Sequence, residues 1–316
     1  MVYMKQKIRV ITNLNEHLKK GCFTFFIFLL FCLTVYSQQE IPLYEIVPNF
    51  KSSETKENIS YDKDGNVQYI SNILNPRLIV FSPEKPCGTA IIICPGGGYS
   101  RLNIENTRFI AQRLNKEGIT VFSLIYRLPS VQSQENPFIS GLQDVQEALR
   151  LVRSQATKWN LYDNRIGLWG SSAGGHLAAM AATHAQTSYE KNKTTDGIRP
   201  DFLILVWSVI SFLPPLAHNG SVRNLLGDNP NNKQLAYFSP EESVGRNTPP
   251  TFLVHASDDS TVNVGNSIIF YQALIKAGIN AEMHLYEKGG HGFGIIPEDK
   301  NSWMEQLFPW IQNQIK

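Results

Sequence analysis

The sequence predicts an α/β fold: a doubly wound, mostly parallel sheet with helices on both faces and a small inserted segment. Three observations carry this. Short β-forming runs are continuously apolar rather than alternating, as strands are when helices cover both faces of their sheet. Segments with helical spacing of apolar residues lie between those runs, and such alternation implies parallel strands joined by crossover helices. One interval, Val209 to Pro250, breaks the rhythm with Pro214-Pro215, Pro230 and Pro240, and reads as an insertion over the carboxyl edge of the sheet, where open α/β sheets bind ligands.

The first residues are a targeting signal rather than part of this fold. Lys5, Lys7, Arg9, Lys19 and Lys20 stand against one acid, Glu16, and are followed by 15 uncharged residues, Cys22 to Tyr36, rich in Phe and Leu. Such a run is short of the ~20 residues a membrane-spanning helix needs, and Val35-Tyr36-Ser37 suits a signal-peptidase site. Residues 1–37 are therefore expected to be a cleaved signal peptide, and 38–316 one catalytic domain exported through the Sec route to the periplasm or beyond. No stable membrane association is expected after cleavage; the competing reading is an uncleaved N-terminal anchor.

After a polar stretch from Lys51 to Lys63, the runs Val67 to Ile70 and Leu78 to Phe81, separated by Asn75-Pro76, read as an antiparallel lead-in to the sheet. The strands that follow are Ala90 to Cys94, Ile119 to Tyr126, Ile166 to Trp169, Phe202 to Trp207, Thr251 to His255 and Ala281 to Tyr286. Helical spacing joins Phe109, Ile110 and Leu114; Leu142, Val145, Leu149 and Val152; Leu177 to Ala182; Ile268, Tyr271, Leu274 and Ile275; and Trp303, Leu307, Trp310 and Ile311.

Composition narrows the function. With 42% hydrophobic and 18% charged residues, and with 22 Gly and 17 Pro scattered without period among 316 residues, the chain is neither disordered, collagenous nor coiled-coil. The net charge of +2 belongs to the signal; residues 38–316 carry 24 basic and 26 acidic side chains, which excludes a strongly basic nucleic-acid binder. Cys87 and Cys94 remain after cleavage, and an extended chain between them spans ~20 Å, beyond disulfide reach.

Four loop motifs carry the chemistry. Gly170-Ser171-Ser172-Ala173-Gly174 lies directly between a strand and a small-residue helix. A serine there sits on a strained turn, flanked by glycines where strand and helix pack closely, with the helix N-terminus aimed at an oxyanion. Ser171 is the competing hydroxyl but occupies the wrong register. Pro95-Gly96-Gly97-Gly98-Tyr99 follows another strand and suits the second half of an oxyanion hole, with Gly97 or Gly98 donating beside Ala173. No lysine follows it, which disfavours a phosphate loop. Asp258-Asp259 and Gly289-Gly290-His291-Gly292 close two further strands. Ser172, Asp259, His291 is the nucleophile, acid, histidine order of the α/β-hydrolase fold.

For each role an alternative stands beside the choice. Asp258 competes with Asp259 as the orienting acid. His284 reads as a strand residue, His255 as packing on the acid loop, and His176 as positioning the serine turn or the inserted lid. Tyr99, Trp207 and His176 form a group placed to meet substrate or lid. Neither paired carboxylates nor a metal motif such as H-E-x-x-H is present, so no cofactor and no metal are expected.

Together Pro95-Gly96-Gly97-Gly98-Tyr99, Tyr126-Arg127-Leu128-Pro129, Gly170 to Ala178 and Lys288 to Gly294 resemble the secreted bacterial α/β-hydrolases known as acetyl esterases and acetylxylan esterases. The resemblance extends over Ile41 to Ile315. It implies hydrolysis of small acyl esters, chiefly acetyl groups on polysaccharides, with Ser172, Asp259 and His291 as nucleophile, acid and base and Gly97 and Gly98 in the oxyanion loop. The expected partner is an acetylated carbohydrate or small ester, not a nucleic acid. Two other readings are a peptidase of the prolyl-oligopeptidase type, whose N-terminal propeller has no counterpart in the residues before Ala90, and a catalytically silent carbohydrate-binding protein of hydrolase fold. Residues 209–250 are expected to shape the choice of sugar.

Overall fold

The protein is described by a computed structural model over residues 39–51, 54–295 and 303–314; the segment read as a signal peptide lies outside the described residues. The strands are, in chain order, β1 (Glu40–Pro42), β2 (Asn58–Tyr61), β3 (Val67–Ser71), β4 (Arg77–Phe81), β5 (Ala90–Cys94), β6 (Leu102–Asn103), β7 (Thr120–Ile125), β8 (Ile166–Ser171), β9 (Leu203–Val206), β10 (Thr251–Ala256) and β11 (Ala281–Tyr286). The helices are α1 (Ile104–Lys116), α2 (Ser140–Ser154), α3 (Ala173–Thr183), α4 (Asn219–Leu226), α5 (Asn232–Tyr237), α6 (Gly265–Lys276) and α7 (Met304–Gln314).

Eight strands form the main sheet in the order β1-β4-β7-β5-β8-β9-β10-β11. The pairs β1/β4 and β4/β7 are antiparallel and the rest parallel. The central strands are buried along nearly their whole length, and their side chains divide by alternation between two cores. Ile92, Phe122, Leu168 and Leu205 meet Val145 and Leu149 of α2, Leu177 of α3 and Phe270 of α6. Ile91, Ile93, Val121 and Ile204 meet Ile110 and Leu114 of α1 and Leu307 and Trp310 of α7. Each fully buried Leu, Ile or Phe contributes about 1.5–3 kcal/mol, which is why apolar runs identify these strands. At the sheet edge β11 has one covered neighbour only, and its pattern loosens to exposed Glu282 and Leu285.

The lead-in departs from expectation. Leu78 to Phe81 does join the main sheet, with Val80 opposite Phe122. Val67 to Ile70, however, belongs to a separate three-stranded sheet, β2-β3-β6. Asn72, at φ +54°, and Pro76 turn the chain between the two, so the two runs never pair. Strand β2 lies inside the polar Lys51–Lys63 stretch and is exposed throughout; pairing with β3, not burial, forms it.

The interval between β9 and β10 is anchored rather than detached. Phe212, Leu225 and Phe238 join the core on the α3 side, and the Asn266 Oδ1 accepts from the N–H groups of Ile210 and Ser211, both at 2.9 Å. Cys87 and Cys94 are free thiols. Beneath the carboxyl edge, Arg127 and Asp144 are buried together, with Nη2 donating to Oδ1 at 2.7 Å and Nε to Oδ2 at 3.0 Å. Arg127→Met strands the Asp144 charge and is expected to cost about 3–5 kcal/mol. Urea unfolding measures this, and a loss under about 1 kcal/mol contradicts the role of the pair.

Candidate active site

Ser172 stands alone between the end of β8 and the start of α3. Its backbone is at φ +54°, ψ −127°, a region costing a non-glycine residue about 1–3 kcal/mol. The surroundings hold it there: its N–H donates to Val206 O at 3.2 Å, and its carbonyl accepts from Val209 N at 3.1 Å and Gly175 N at 3.0 Å. Helix α3 approaches β5 so closely that a Cβ on Gly174 would lie 2.1 Å from Cys94 O. The neighbouring Ser171 hydroxyl instead accepts from Trp169 Nε1 at 3.0 Å.

Loops from three strand ends converge on this serine. His291 Nε2 lies 3.1 Å from Ser172 Oγ, and His291 Nδ1 lies 2.7 Å from Asp259 Oδ2. The other carboxylate oxygen accepts from the N–H groups of Thr261, at 2.8 Å, and Val262, at 2.9 Å. Buried His255 stands behind, its Nε2 3.1 Å from Asp259 Oδ2 and 3.0 Å from Val262 O, its Nδ1 2.8 Å from Ser267 Oγ. Burial pushes the Asp259 carboxyl up, but the hydrogen bonds from His255, His291 and Val262 outweigh it and hold the group well below the usual carboxylate range. Asp258 faces elsewhere and accepts from Gly290 N at 2.8 Å, clamping the histidine loop to the acid loop. His284 pairs with Glu282 at the sheet edge.

The glycine loop lies opposite. The N–H groups of Gly97, Gly98 and Ala173 have no acceptor among the described residues, and Gly97 and Gly98 line the cleft in front of Ser172. Gly97 has φ +139°, and a Cβ there would sit 2.1 Å from Arg101 O. From the insertion, the Asn224 side-chain amide donates to Gly98 O at 2.7 Å, tying α4 to this loop.

Of the three residues expected to meet substrate or lid, only Trp207 lines the cleft. Its ring stands edge-on to His291, 6.2 Å between centroids, on a backbone of φ +37°. Tyr99 and His176 are buried, face each other outside that cleft, and meet the inserted segment rather than a substrate space. His176 Nε2 donates to Phe238 O at 2.7 Å, so Nδ1 accepts from the Tyr99 hydroxyl at 2.7 Å, while the ring stacks on Phe212 at 4.1 Å. The histidine thus joins α3, the glycine loop and the insertion.

Burial pushes His176 down to about 4 from its ordinary 6.5. The unfolded chain therefore takes up this proton first as the pH falls. The stability contributed by neutral His176 is whole above pH 6.5 and is lost through the window down to about 4. This residue alone is expected to remove about 2 kcal/mol between pH 7 and pH 5. Urea midpoints at the two pH values check it, with His176→Gln flattening the dependence; an unchanged slope in that variant contradicts the assignment.

The cleft has a volume of about 360 Å³ and is also lined by Tyr69, Arg101, Asn106, Thr107 and His218, none of which the sequence reading singled out. His218 is the N-cap of α4: its Nδ1 accepts from Ser221 N at 3.2 Å, which leaves the ring proton on Nε2. Burial, with His291 nearby, lowers its pKa, so it stays neutral as a donor. Its one sequence signal is the helix-capping run His218-Asn219-Gly220-Ser221. Among the described residues no group of three or more His, Cys, Asp or Glu side chains could hold a metal ion.

The profile of the BD-FAE family matches residues 79–274. The chain is 34% identical over 245 residues to an acetylxylan esterase of Xylanibacter ruminicola, covering 73% of this chain and 48% of that protein. It is 30% identical over 269 residues to endo-1,4-beta-xylanase B of Butyrivibrio fibrisolvens, covering 84% and 41%. The chain thus spans about half the length of the curated relatives it matches. A solved acetyl ester-xyloside bifunctional hydrolase from Caldicellulosiruptor lactoaceticus superposes with a TM-score of 0.72 at 33% identity, over 89% of this chain and 98% of that one. An esterase of Thermogutta terrifontis, 20% identical, shares the fold with a TM-score of 0.63 over 85% and 95%. With a family profile matching well over half its length and that hydrolase alike over nearly all of its own, the chain belongs to the BD-FAE family of α/β-hydrolases.

Proposed function

We propose that the protein is a serine carboxylic ester hydrolase that removes acetyl and other short acyl groups from carbohydrates through an acyl-enzyme. The observation that carries this is the continuous row Ser172 Oγ, His291 Nε2, His291 Nδ1, Asp259 Oδ2, at 3.1 and 2.7 Å, facing a cleft with unpaired backbone donors. Ser172 gives its proton to His291 Nε2 as its oxygen attacks the ester carbonyl. The N–H groups of Ala173 and of Gly97 or Gly98 hold the oxyanion. His291 then protonates the departing sugar oxygen, and water repeats the sequence to release the acid. Asp259 keeps the Nδ1 proton of His291 in place. No step needs a cofactor.

A cleft of about 360 Å³ suits a small acyl group and one sugar, near the low end of ligand pockets. Likeness to an acetylxylan esterase and to an acetyl ester-xyloside bifunctional hydrolase supports a carbohydrate as the alcohol. The test is acetate release from acetylated xylan, mannan, pectin and monosaccharides, with an acyl-length series. Acetate is expected from a polysaccharide, with kcat/KM falling about tenfold or more from acetyl to hexanoyl. Peptide cleavage without ester cleavage supports the peptidase reading instead. Export with loss of residues 1–37 remains part of the proposal, read by the mass and N-terminal sequence of the protein recovered outside the cytoplasm.

A further inference from the structure

We infer that the cleft continues past Ser172 onto the outer face of the small sheet, where Tyr69 and Arg101 form a subsite for a carboxylate-bearing sugar, a hexuronic acid, beside the acylated one. This rests on the carbohydrate-esterase reading of the site.

The register of the small sheet builds the floor. Ser60 lies opposite Tyr69, Asn58 opposite Ser71, and Tyr69 opposite Asn103. Residues directly opposite one another in antiparallel strands share a face, so Tyr69 is surrounded by Asn58, Ser60, Ser71 and Asn103, with the Tyr61 and Val67 pair beyond a bulge at the end of the sheet. The other face carries Ile70 and Leu102, which are buried in the core. Tyr69 and Arg101 line the catalytic cleft and also a second hollow of about 220 Å³ on the sheet, with Asn58, Ser60 and Ser71. The two hollows therefore meet at this pair. A cleft that holds an acyl group and about one sugar must let the next sugar of a chain out, and this floor leads away from it.

Arg101 supplies the charge. Its Cζ lies 4.3 Å from the Tyr69 ring centroid, a cation–π contact that holds the exposed guanidinium over the ring and leaves N–H groups for other partners. It has no ion-pair partner among the described residues, and no Asp or Glu lines either hollow. Its main-chain N–H donates to Gly97 O at 3.3 Å, which ties the cation to the glycine loop beside Ser172. A guanidinium so held and lacking a countercharge matches a carboxylate through two parallel hydrogen bonds. The aromatic ring offers an apolar surface to a sugar.

Two substrate pairs test this: acetylated xylo-oligosaccharides with and without one glucuronic acid branch, and acetylated oligogalacturonides with free and with methyl-esterified carboxyls. The native enzyme is expected to favour the free-carboxylate member of at least one pair about tenfold in kcat/KM, and the pair that shows it names the source of the uronate. Arg101→Gln is expected to bring the ratio to about one, Arg101→Lys to keep part of it, and added salt to shrink it, since exposed charges are screened over ~10 Å at 0.1 M. Hydrolysis without a preference, or a ratio that survives Arg101→Gln, overturns the subsite alone. Failure on every acetylated oligosaccharide, with a simple aryl acetate still cleaved, overturns the carbohydrate reading and the subsite with it.

Discussion

Ser172→Ala is expected to lower kcat by about 10⁴- to 10⁶-fold, with the protein still folded. The oxygen removed is the one 3.1 Å from His291 Nε2. The neighbouring hydroxyl, Ser171, is committed to the Trp169 indole at 3.0 Å. Alanine at φ +54° inherits the same backbone strain and leaves the loop contacts of the elbow in place, so the stability change is expected to stay within about 1 kcal/mol. Steady-state kinetics on an aryl acetate, beside a urea titration, read both quantities. Near-normal turnover in the alanine variant removes Ser172 from the mechanism.

Asp259→Asn is expected to cost about 10⁴-fold in kcat, and the hydrogen-bond inventory says why. Oδ1 accepts two main-chain N–H groups, from Thr261 and Val262, so an asparagine must keep its carbonyl oxygen there. Its NH₂ group then occupies the place of Oδ2, facing His291 Nδ1 and His255 Nε2. A donor set against the Nδ1 proton drives that proton to Nε2, and the imidazole can no longer accept from Ser172. Asp258→Asn keeps an acceptor for Gly290 N and is expected to cost less than about tenfold. Kinetics of the two variants compare the neighbouring carboxylates directly; a larger loss at Asp258 assigns the role to the wrong residue.

Much of this arrangement is legible in the chain because it is local. The elbow serine, its glycines and the helix that follows lie within a few consecutive residues, and the strands before Gly96, Ser172 and Asp259 are apolar runs, that before His291 a mixed one, whose ends place each loop on one edge of the sheet. Other parts depend on contacts between distant segments. Tyr69 stands in a strand that reads as a β run, but its partner β2 has no buried side chain, so no hydrophobic pattern reveals how the small sheet pairs or that it meets the cleft. His218 reaches the cleft only because α4 is tied to Gly98 through Asn224. Tyr99 and His176 stand beside a glycine loop and a nucleophile in sequence, and what the imidazole meets is set by the insertion, which closes Phe212 and Phe238 over it. A loop can be located from sequence; the direction of its side chains is set by what later folds onto it.

The central claim is that the acyl group passes through Ser172. Rapid acid quench during turnover of an aryl acetate, followed by peptide mass mapping, tests it directly, because an acetyl-serine ester survives at low pH. An acetyl adduct is expected on the peptide spanning Gly170 to Gly174, at Ser172, and none in Ser172→Ala. Turnover in the wild-type protein with the acetyl adduct on another residue contradicts Ser172 as the nucleophile.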